Sequence, residues 1–348
     1  MAIGKQKSAR NKTIDLSLEE GRAYLDAVLD GKGALSEFPV DRVILGDTLT
    51  VLPRLKRGSV DLLIVDPPYN LKKNFGSVKF KVTDSESYRA YTRAWLEAVS
   101  PLLSPTASVY VCCDWQSGLI IGEVLGEYLH VRNRITWQRE KGRGAAKNWK
   151  NGMEDIWFAT VSEEYAFDLN AVKLRRRVLA PYTKDGQPRD WQEDPESGAK
   201  FRDTCPSNFW DDISIPYWSM AENTAHPTQK PEKLIAKLIL ASSKEGDLVL
   251  DPFLGSGTTA VVAKKLGRHF IGIEQDPTYC IWAQKRLEDA ERDPSIQGYV
   301  NGVFWERNTQ VSDVEDETNG LLSYDRRVTK VDAARMQTIA AALCQAIE

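Results

Sequence analysis

Hydrophobic positions along the chain follow two different periods. Short apolar runs at 42–47, 61–66, 107–114, 247–251 and 269–274 predict buried strands. Apolar residues spaced three and four apart predict helices at 85–99, 231–243 and 277–293, and another helix follows the glycine-rich turn at 254–258. Strands that alternate with helices indicate a mostly parallel, doubly wound α/β sheet.

The middle and the two ends of the chain break this alternation. Residues 139–221 are rich in Trp, Arg, Asn and Pro and carry weak periodic signals, so we expect an irregular insertion there. Residues 1–38 form an N-terminal appendage, polar at first and then a predicted helix over 17–31. The tail at 308–348 predicts a polar linker followed by one helix at 332–347.

Composition narrows the class of protein. The 348 residues are 42% hydrophobic and 27% charged, which suits a soluble globular chain. The sequence contains no apolar run of about 18 residues, so we expect no membrane span. The basic N-terminus lacks the apolar segment of a secretory signal. The five cysteines are scattered without a CxxC pair, so we expect reduced thiols in the cytoplasm and no structural metal site.

The net charge of −3 does not by itself indicate a nucleic-acid-binding protein, but the charges are unevenly distributed. Seven Lys or Arg residues lie between 131 and 150 against a single acid, and a second basic cluster spans 173–177. Such clustering permits a polyanion-binding face. An ordinary solvated surface would give the same pattern, so charge alone leaves both interpretations open.

The segment LVLDPFLGSGTT (248–259) leaves a predicted strand and opens a helix. Gly255 and Gly257 lack a Cβ, so the backbone can turn tightly there and approach a ligand. Glu274 ends the next predicted strand, where its carboxylate can accept hydrogen bonds from both ribose hydroxyls. The turn lacks the Lys of a phosphate-binding loop and the third Gly of a dinucleotide motif. A nucleoside without a pyrophosphate therefore fits best, and S-adenosylmethionine is one.

The motif DPPY (66–69) ends the most hydrophobic predicted strand, at the edge where open α/β sheets bind ligands. Two prolines remove two backbone donors and leave carbonyl acceptors. The Asp66 carboxylate and the Pro67 carbonyl can together hold the exocyclic amine of a nucleobase and direct its lone pair at an electrophilic methyl group. Tyr69 can stack on the base, which must first be flipped out of a duplex.

DPPY followed by DPFLGSGTT resembles the catalytic and cofactor motifs of the amino-group DNA methyltransferases, and HPTQKPEKLI (226–235) is similar to another block of that family. The order of the motifs is that of the β class. The resemblance covers 41–110 and 222–290. It implies a Rossmann-like fold, S-adenosylmethionine as the cofactor, double-stranded DNA as the substrate, and no metal.

The resemblance also implies roles for individual residues. Asp66, Pro67, Pro68 and Tyr69 are the expected catalytic residues. The expected cofactor-binding residues are Asp47, Asp66, Thr228, Lys230, Asp251, Phe253, Gly255, Gly257, Thr258 and Glu274, with Asp47 beside the adenine and Thr228 and Lys230 near the methionine end. For Asp47 and Thr228, simple capping of a helix is the alternative.

The resemblance divides the chain into two halves of one catalytic domain, 39–138 and 222–307, with a target-recognition region at 139–221 between them. Basic and amide side chains in that region suit contacts with phosphates. The predicted DNA-binding residues are Arg139, Lys141, Arg143, Lys147, Asn148, Lys150, Arg175, Arg176 and Arg177. His130, His226 and His269 show no ligand spacing and are expected to be structural.

Other functions remain compatible with the sequence. Asp66 favours N6 of adenine, because members that methylate N4 of cytosine usually carry Ser at that position, but the same fold serves both bases. A catalytically silent DNA-binding module belongs to a different class of function, and the intact Asp66, Tyr69 and Glu274 argue against it. A cognate restriction endonuclease and a homodimer are expected only by analogy with the family.

Overall fold

The computed structural model describes residues 8–35, 38–70, 73–75, 78–80, 83–139, 147–179, 182–193 and 198–307. The α-helices among them are α1 (Arg22–Leu25), α2 (Thr48–Val51), α3 (Ser85–Val99), α4 (Trp115–Tyr128), α5 (Glu232–Ser242), α6 (Thr258–Lys265) and α7 (Pro277–Arg292). Two 3₁₀ helices span Leu52–Arg54 and Ser100–Leu102. The C-terminal helix predicted at 332–347 lies outside the described residues.

The first nine strands in the described part of the chain are β1 (Leu29–Asp30), β2 (Arg42–Leu45), β3 (Val60–Val65), β4 (Lys73–Phe75), β5 (Val78–Phe80), β6 (Leu103–Cys113), β7 (His130–Gln138), β8 (Met153–Thr160) and β9 (Leu174–Arg177). The remaining strands there are β10 (Thr183–Lys184), β11 (Gln187–Pro188), β12 (Gln192–Glu193), β13 (Lys200–Thr204), β14 (Phe209–Trp210), β15 (Leu248–Asp251), β16 (His269–Glu274), β17 (Tyr299–Val300) and β18 (Val303–Trp305).

A large central sheet has the strand order β1-β2-β16-β15-β3-β6-β8-β7-β14. Every neighbouring pair is parallel except the two pairs that β8 makes, with β6 and with β7. The prediction of a mostly parallel, doubly wound sheet is confirmed. β15 lies directly beside β3, with Val249 opposite Leu62, although the two strands are far apart in sequence. The segments that follow these two strands therefore leave the same edge of the sheet.

Helices cover both faces of the sheet, which explains why β3 is apolar at almost every position. Leu62 and Ile64 point into a core shared with α5, α6 and α7, whereas Leu63 and Val65 point into a second core shared with α3 and α4. Successive side chains of a strand alternate between faces, so a strand between two helical layers must be apolar on both. Trp95 of α3 is fully buried in the second core.

The prediction of an irregular region at 139–221 is wrong for several of its segments. β8 lies in the central sheet between β6 and β7, and β14 pairs with β7 at the sheet edge. The run from Ile156 to Ala159 is mostly buried, which explains why the segment is a strand of the main core. A second sheet, in the order β12-β13-β9-β18-β17, joins strands from 174–204 to strands from 299–305.

The N-terminal segment is more closely integrated than an appendage. The predicted helix over 17–31 is wrong except at Arg22–Leu25. Turns precede α1, and after it the chain adds β1 to the central sheet as a parallel partner of β2. Ile14 makes a bridge with Thr224, and a small apolar cluster packs this segment against Trp282 of α7. Residues from both ends of the described chain therefore support the same side of the sheet.

The glycine that starts α6 generates a testable prediction about packing. Gly257 has a φ of +89°, and a Cβ there would lie 2.6 Å from Cβ and 2.8 Å from Cα of Ala283 in α7. We expect Gly257→Ala to lower the free energy of unfolding by roughly 3 kcal/mol, since left-handed backbone costs about 1–2 kcal/mol and overpacking about 1–3 kcal/mol.

Gly58 offers a matched control for that variant, because its φ is +62° and nothing lies within 4 Å of an added Cβ. Gly58→Ala should cost only the backbone term, about 1–2 kcal/mol. Urea unfolding of both variants measures the difference. Equal losses of stability would contradict the close packing of α6 against α7.

Candidate functional site

A cavity of about 310 Å³ opens at the edge of the central sheet where β3 and β15 end. Its volume lies at the lower end of the roughly 300–1,000 Å³ that ligand pockets span. The predicted catalytic and cofactor residues that line it are Asp47, Asp66, Pro67, Pro68, Tyr69, Thr228, Lys230, Asp251, Phe253, Gly255, Thr258 and Glu274. Gly257 is the exception, because it faces α7 instead of the cavity.

The DPPY turn holds a carboxylate whose two oxygens both have donors. The Tyr69 hydroxyl donates to Oδ1 of Asp66 at 2.7 Å, and Nζ of Lys230 donates to Oδ2 at 2.6 Å. Burial raises the pKa of Tyr69 well above its usual value, so this hydroxyl stays neutral and keeps its proton. No described residue donates a hydrogen bond to the Pro67 carbonyl, which leaves an acceptor open beside Asp66.

The Lys230 side chain lies between two carboxylates and is only 7% exposed. Its Nζ is 2.6 Å from Asp66 and 3.4 Å from Oε2 of Glu154, and it also reaches the Tyr69 hydroxyl at 3.2 Å. Burial disfavours the ammonium, but the charges of Asp66 and Glu154 outweigh burial and raise the pKa of Lys230. Lys230 is therefore a cation at neutral pH.

The Asp251 carboxylate stabilises the glycine-rich turn by accepting hydrogen bonds from both sides of it. Its Oδ1 accepts from the Phe253 amide at 3.0 Å, and its Oδ2 accepts from the Thr259 hydroxyl at 2.6 Å. Burial raises the pKa of Asp251 to about 7. Gly255 has a φ of +55°, and a Cβ at that position would lie 3.3 Å from Nε2 of His226, inside the space that the cavity occupies.

Glu274 ends β16 across from the turn, and its carboxylate accepts two backbone hydrogen bonds. Oε2 accepts from the Gly255 amide and Oε1 from the Asp276 amide, both at 2.8 Å. Each carboxylate oxygen keeps a further acceptor position, which suits a pair of ligand hydroxyls. Burial raises the pKa of Glu274 to about 7, so the charge of this carboxylate changes near neutral pH.

Three of the predicted cofactor residues also have structural contacts. Asp47 is the N-cap of α2 and accepts from the Thr50 amide at 3.0 Å, so the capping alternative holds for it, although it also lines the cavity. The Thr258 hydroxyl donates to the Lys230 carbonyl at 3.0 Å, which ties the start of α6 to the segment before α5. Thr228 does not cap a helix; its amide donates to the His226 ring at 3.4 Å.

Two residues at the site were not predicted from the sequence to belong to it. His226, expected to be structural, lines the cavity and packs edge-to-face on Tyr279 with ring centroids 4.5 Å apart. Burial lowers the pKa of His226 to about 4, so its ring is neutral. Glu154 at the start of β8 pairs with Lys230 and Arg139. The HPTQKP block contained the only sequence signal for His226, and Glu154 had none.

The predicted DNA-binding residues do not form a single surface group. Lys147, Asn148 and Lys150 are exposed, as a phosphate contact requires. Arg139 is three-quarters buried and pairs with Glu154. Lys141 and Arg143 lie outside the described residues.

The second basic cluster is largely neutralised by neighbouring acids. The cross-strand register of β9 and β13 sets Arg175 opposite Asp203, and the two side chains form a bidentate pair at 2.7 and 2.8 Å. Arg176 pairs with Glu306 at 2.9 Å, and the Arg177 amide donates to the same carboxylate at 3.0 Å. Arg175 and Arg176 are thus each paired with an acid, and a contact of these residues with phosphates stays a prediction.

Two general features of the described residues bear on function. They contain no cluster of His, Cys, Asp or Glu that could hold a metal ion. In that same part of the chain, no helix has the length and apolar character to cross a membrane.

Comparisons with known proteins agree with this geometry. A family model described as DNA methylase matches residues 60–285. Relatives include the type II methyltransferase M.HpaI of Haemophilus parainfluenzae, which is 32% identical over 71% of this chain and 74% of its own, and the DNA adenine methyltransferase YhdJ of Escherichia coli, which is 32% identical over 71% and 83%.

A solved structure shows the same fold. The PvuII DNA methyltransferase, described as cytosine-N4-specific, is 18% identical, with 73% of this chain and 92% of that chain covered and a TM-score of 0.51.

A third sequence relative is the type II methyltransferase M2.DpnII of Streptococcus pneumoniae, which is 30% identical over 71% of this chain and 89% of its own. By the match to the family model and by its identity to these relatives, the chain belongs to the DNA methylase family.

Proposed function

We propose that this methylase transfers a methyl group from S-adenosylmethionine to the N6 amine of adenine in duplex DNA. The observation that carries the proposal is the pair of acceptors at the end of β3. Asp66 and Pro67, whose carbonyl accepts no hydrogen bond from the described residues, line the cavity whose other wall is the glycine-rich turn after β15. The relative YhdJ is a DNA adenine methyltransferase, which supports adenine as the target base.

The residues around the turn fit S-adenosylmethionine. The left-handed backbone at Gly255 and the space where its Cβ would stand leave room for a ligand beside Phe253. Glu274 has acceptor positions for the two ribose hydroxyls, and Asp47 lies at the cavity rim for the adenine. When bound, the cofactor supplies an electrophilic methyl group on a sulfonium. Thr228 and Thr258 complete the cofactor wall in this proposal.

The chain's own residues make the amine reactive. An adenine amine is a weak nucleophile, because its lone pair is delocalised into the ring. Hydrogen bonds from its two hydrogens to Asp66 and the Pro67 carbonyl favour a tetrahedral nitrogen with a localised lone pair. As the nitrogen bonds to the methyl carbon and the carbon–sulfur bond breaks, Asp66 takes up the departing proton. Tyr69 stacks on the base, and Pro68 keeps the turn rigid.

The target base must leave the duplex to reach the cavity, at a cost of a few kcal/mol. The exposed Lys147, Asn148 and Lys150 are the described residues that we assign to DNA contacts within the recognition region 139–221. The relatives M.HpaI and M2.DpnII are type II methyltransferases, which supports a restriction–modification role, and a DNA substrate in turn favours a cytoplasmic location. A cognate endonuclease and a homodimer remain predictions from the family.

The proposal is tested by methyl transfer from labelled S-adenosylmethionine to mixed-sequence duplex DNA, followed by mass spectrometry of the nucleosides. N6-methyladenine is the expected product. N4-methylcytosine would keep the family and overturn the base assignment. Absence of any methylated nucleoside, while the protein still binds the cofactor, would overturn the proposed substrate.

Replacing the catalytic carboxylate gives a second test. Asp66→Asn keeps the shape of the side chain but removes its charge and its ability to take a proton. We expect the single-turnover rate of methyl transfer to fall by at least about 100-fold, with DNA binding retained. Asp61→Asn is a matched control, since Asp61 lies near the opposite end of the same strand and, among the described residues, its carboxylate accepts a hydrogen bond only from the Leu248 amide. A rate for Asp66→Asn within tenfold of that control would contradict the assigned role.

The pKa of Glu274 near 7 predicts a pH dependence of cofactor binding. Because burial raises this pKa, the carboxyl is protonated below about pH 7 and then has one acceptor oxygen fewer for the ribose. Affinity measured by calorimetry should therefore rise from pH 6 to pH 8, by up to about tenfold per pH unit below the pKa. Glu274→Gln should bind more weakly and without this dependence. A wild-type affinity that is constant over this range would contradict the ribose contact.

A further inference from the structure

Glu154 is a buried acid at the catalytic edge that the proposed mechanism does not use. The antiparallel register of β8 against β6 sets Asp155 opposite Cys113, so β8 begins where β3 and β6 end. This register brings Glu154 within reach of Lys230, which approaches from the segment before α5. The Glu154 side chain is only 7% exposed, so a partner for its charge is required.

The two oxygens of Glu154 differ in their partners. Oε1 accepts a charge-assisted hydrogen bond from Nη1 of Arg139. Oε2 is buried, has no hydrogen-bond partner in the described part of the chain, and lies 3.4 Å from Nζ of Lys230 without the alignment of a hydrogen bond. Arg139 therefore holds the Glu154 carboxylate through Oε1, and Oε2 remains as an acceptor that lies near Lys230.

The neighbouring Asp66 has the opposite difficulty. Its two oxygens already accept from the Tyr69 hydroxyl and from Nζ of Lys230, at 2.7 and 2.6 Å. A target amine that donates to Asp66 must replace one of these donors. The lysine ammonium sits at the end of a flexible four-carbon stem, whereas Tyr69 belongs to the proline-rich turn itself. Lys230 is thus the donor that can move with least disturbance of the turn.

We propose that Glu154 is a positioning residue that receives the Lys230 ammonium when the amine of the target base takes its place on Asp66. The move needs less than 1 Å of closer approach, because a charge-assisted hydrogen bond is about 2.7–2.9 Å long. It satisfies the buried Oε2 and leaves the ammonium paired throughout. Asp66 thereby gains a free acceptor for the amine, and the buried Lys230 ammonium is never left without a carboxylate partner. The inference rests on the proposed function, since it requires an amine that binds at Asp66.

Arg139 and Glu154 also connect this exchange to the predicted recognition region. Arg139 directly follows β7, at the first position of the predicted recognition region, and it fixes the carboxylate that receives the lysine. A change in the position of Arg139 when DNA binds would be passed to Glu154 over a single ion pair.

The test compares Glu154→Gln with Asp155→Asn. Both replace a buried acid of β8 by its amide, but Asp155 bonds Thr136 at 2.6 Å and does not contact Lys230. Under the proposal, Glu154→Gln lowers the single-turnover rate of methyl transfer by about 10- to 100-fold. Glu154→Gln keeps the KM for S-adenosylmethionine within about twofold of the wild-type value. Asp155→Asn changes neither the single-turnover rate nor this KM by more than about twofold.

A double-mutant cycle separates positioning from a general structural effect. If Glu154 acts through Lys230, adding Glu154→Gln to Lys230→Met causes no further loss of rate. The inference would be overturned if the rate losses of the two single variants multiplied in the double variant. A Glu154→Gln rate within twofold of wild type would also overturn it.

If Glu154→Gln does not fold, Glu154→Asp retains the charge but withdraws the acceptor by one methylene, and it should lose rate with unchanged cofactor KM. Wild-type rate in Glu154→Asp would overturn the inference. The product of the wild-type enzyme is determined separately by mass spectrometry, so a failed substrate assignment is distinguishable from a failed role for Glu154.

Discussion

The parallel pairing of β3 with β15 is the constraint on which the rest of the site depends. It sets the DPPY turn and the glycine-rich turn at one edge of the sheet, although a long stretch of chain separates them in sequence. One turn supplies acceptors for an amine, and the other leaves space for a nucleoside. Apolar residues on both faces of β3 hold this register, because a slip by one residue would exchange the two cores.

The second constraint is electrostatic. Asp66, Lys230, Glu154 and Arg139 form a chain of alternating charges in a region that excludes most water. Buried charges are costly unless each has a partner, so this arrangement is strongly coupled: removing any member takes an ion-pair partner from its neighbour. The same coupling gives the site a way to change. An ammonium between two carboxylates can transfer its hydrogen bond from one to the other at little cost in charge, which a single ion pair cannot do.

Local patterns in the sequence predicted much of the fold and the cofactor side of the site. The helix at 85–99 has the predicted bounds, and the strand–turn–helix–strand unit around Gly255 is confirmed. These features depend on periodicity and on turn chemistry, which lie within a few residues of one another. The resemblance of DPPY and HPTQKP to a known family then supplied the residues that meet at the cavity.

Features that depend on register between distant strands could not be predicted in this way. After Met153, β8 carries two acids, Glu154 and Asp155, so its apolar run was too short to indicate a central strand. The place of Glu154 beside Lys230 follows only from that strand. The pairing of Arg175 with Asp203 likewise comes from the register of β9 and β13. Gly257 was assigned to the cofactor because a residue without a Cβ lets the backbone approach a ligand, whereas its missing Cβ makes room for Ala283 of α7.

The most direct measurement is a crystal structure of the enzyme with a non-reactive analogue of S-adenosylmethionine and a DNA duplex that contains the target site. The account predicts a flipped adenine whose N6 donates to Asp66 and to the Pro67 carbonyl. It also predicts that Nζ of Lys230 lies within hydrogen-bond distance of Glu154 Oε2 and has left Asp66. A flipped base bound elsewhere, or an adenine amine on Asp66 with the Lys230–Asp66 bond still in place, would contradict it.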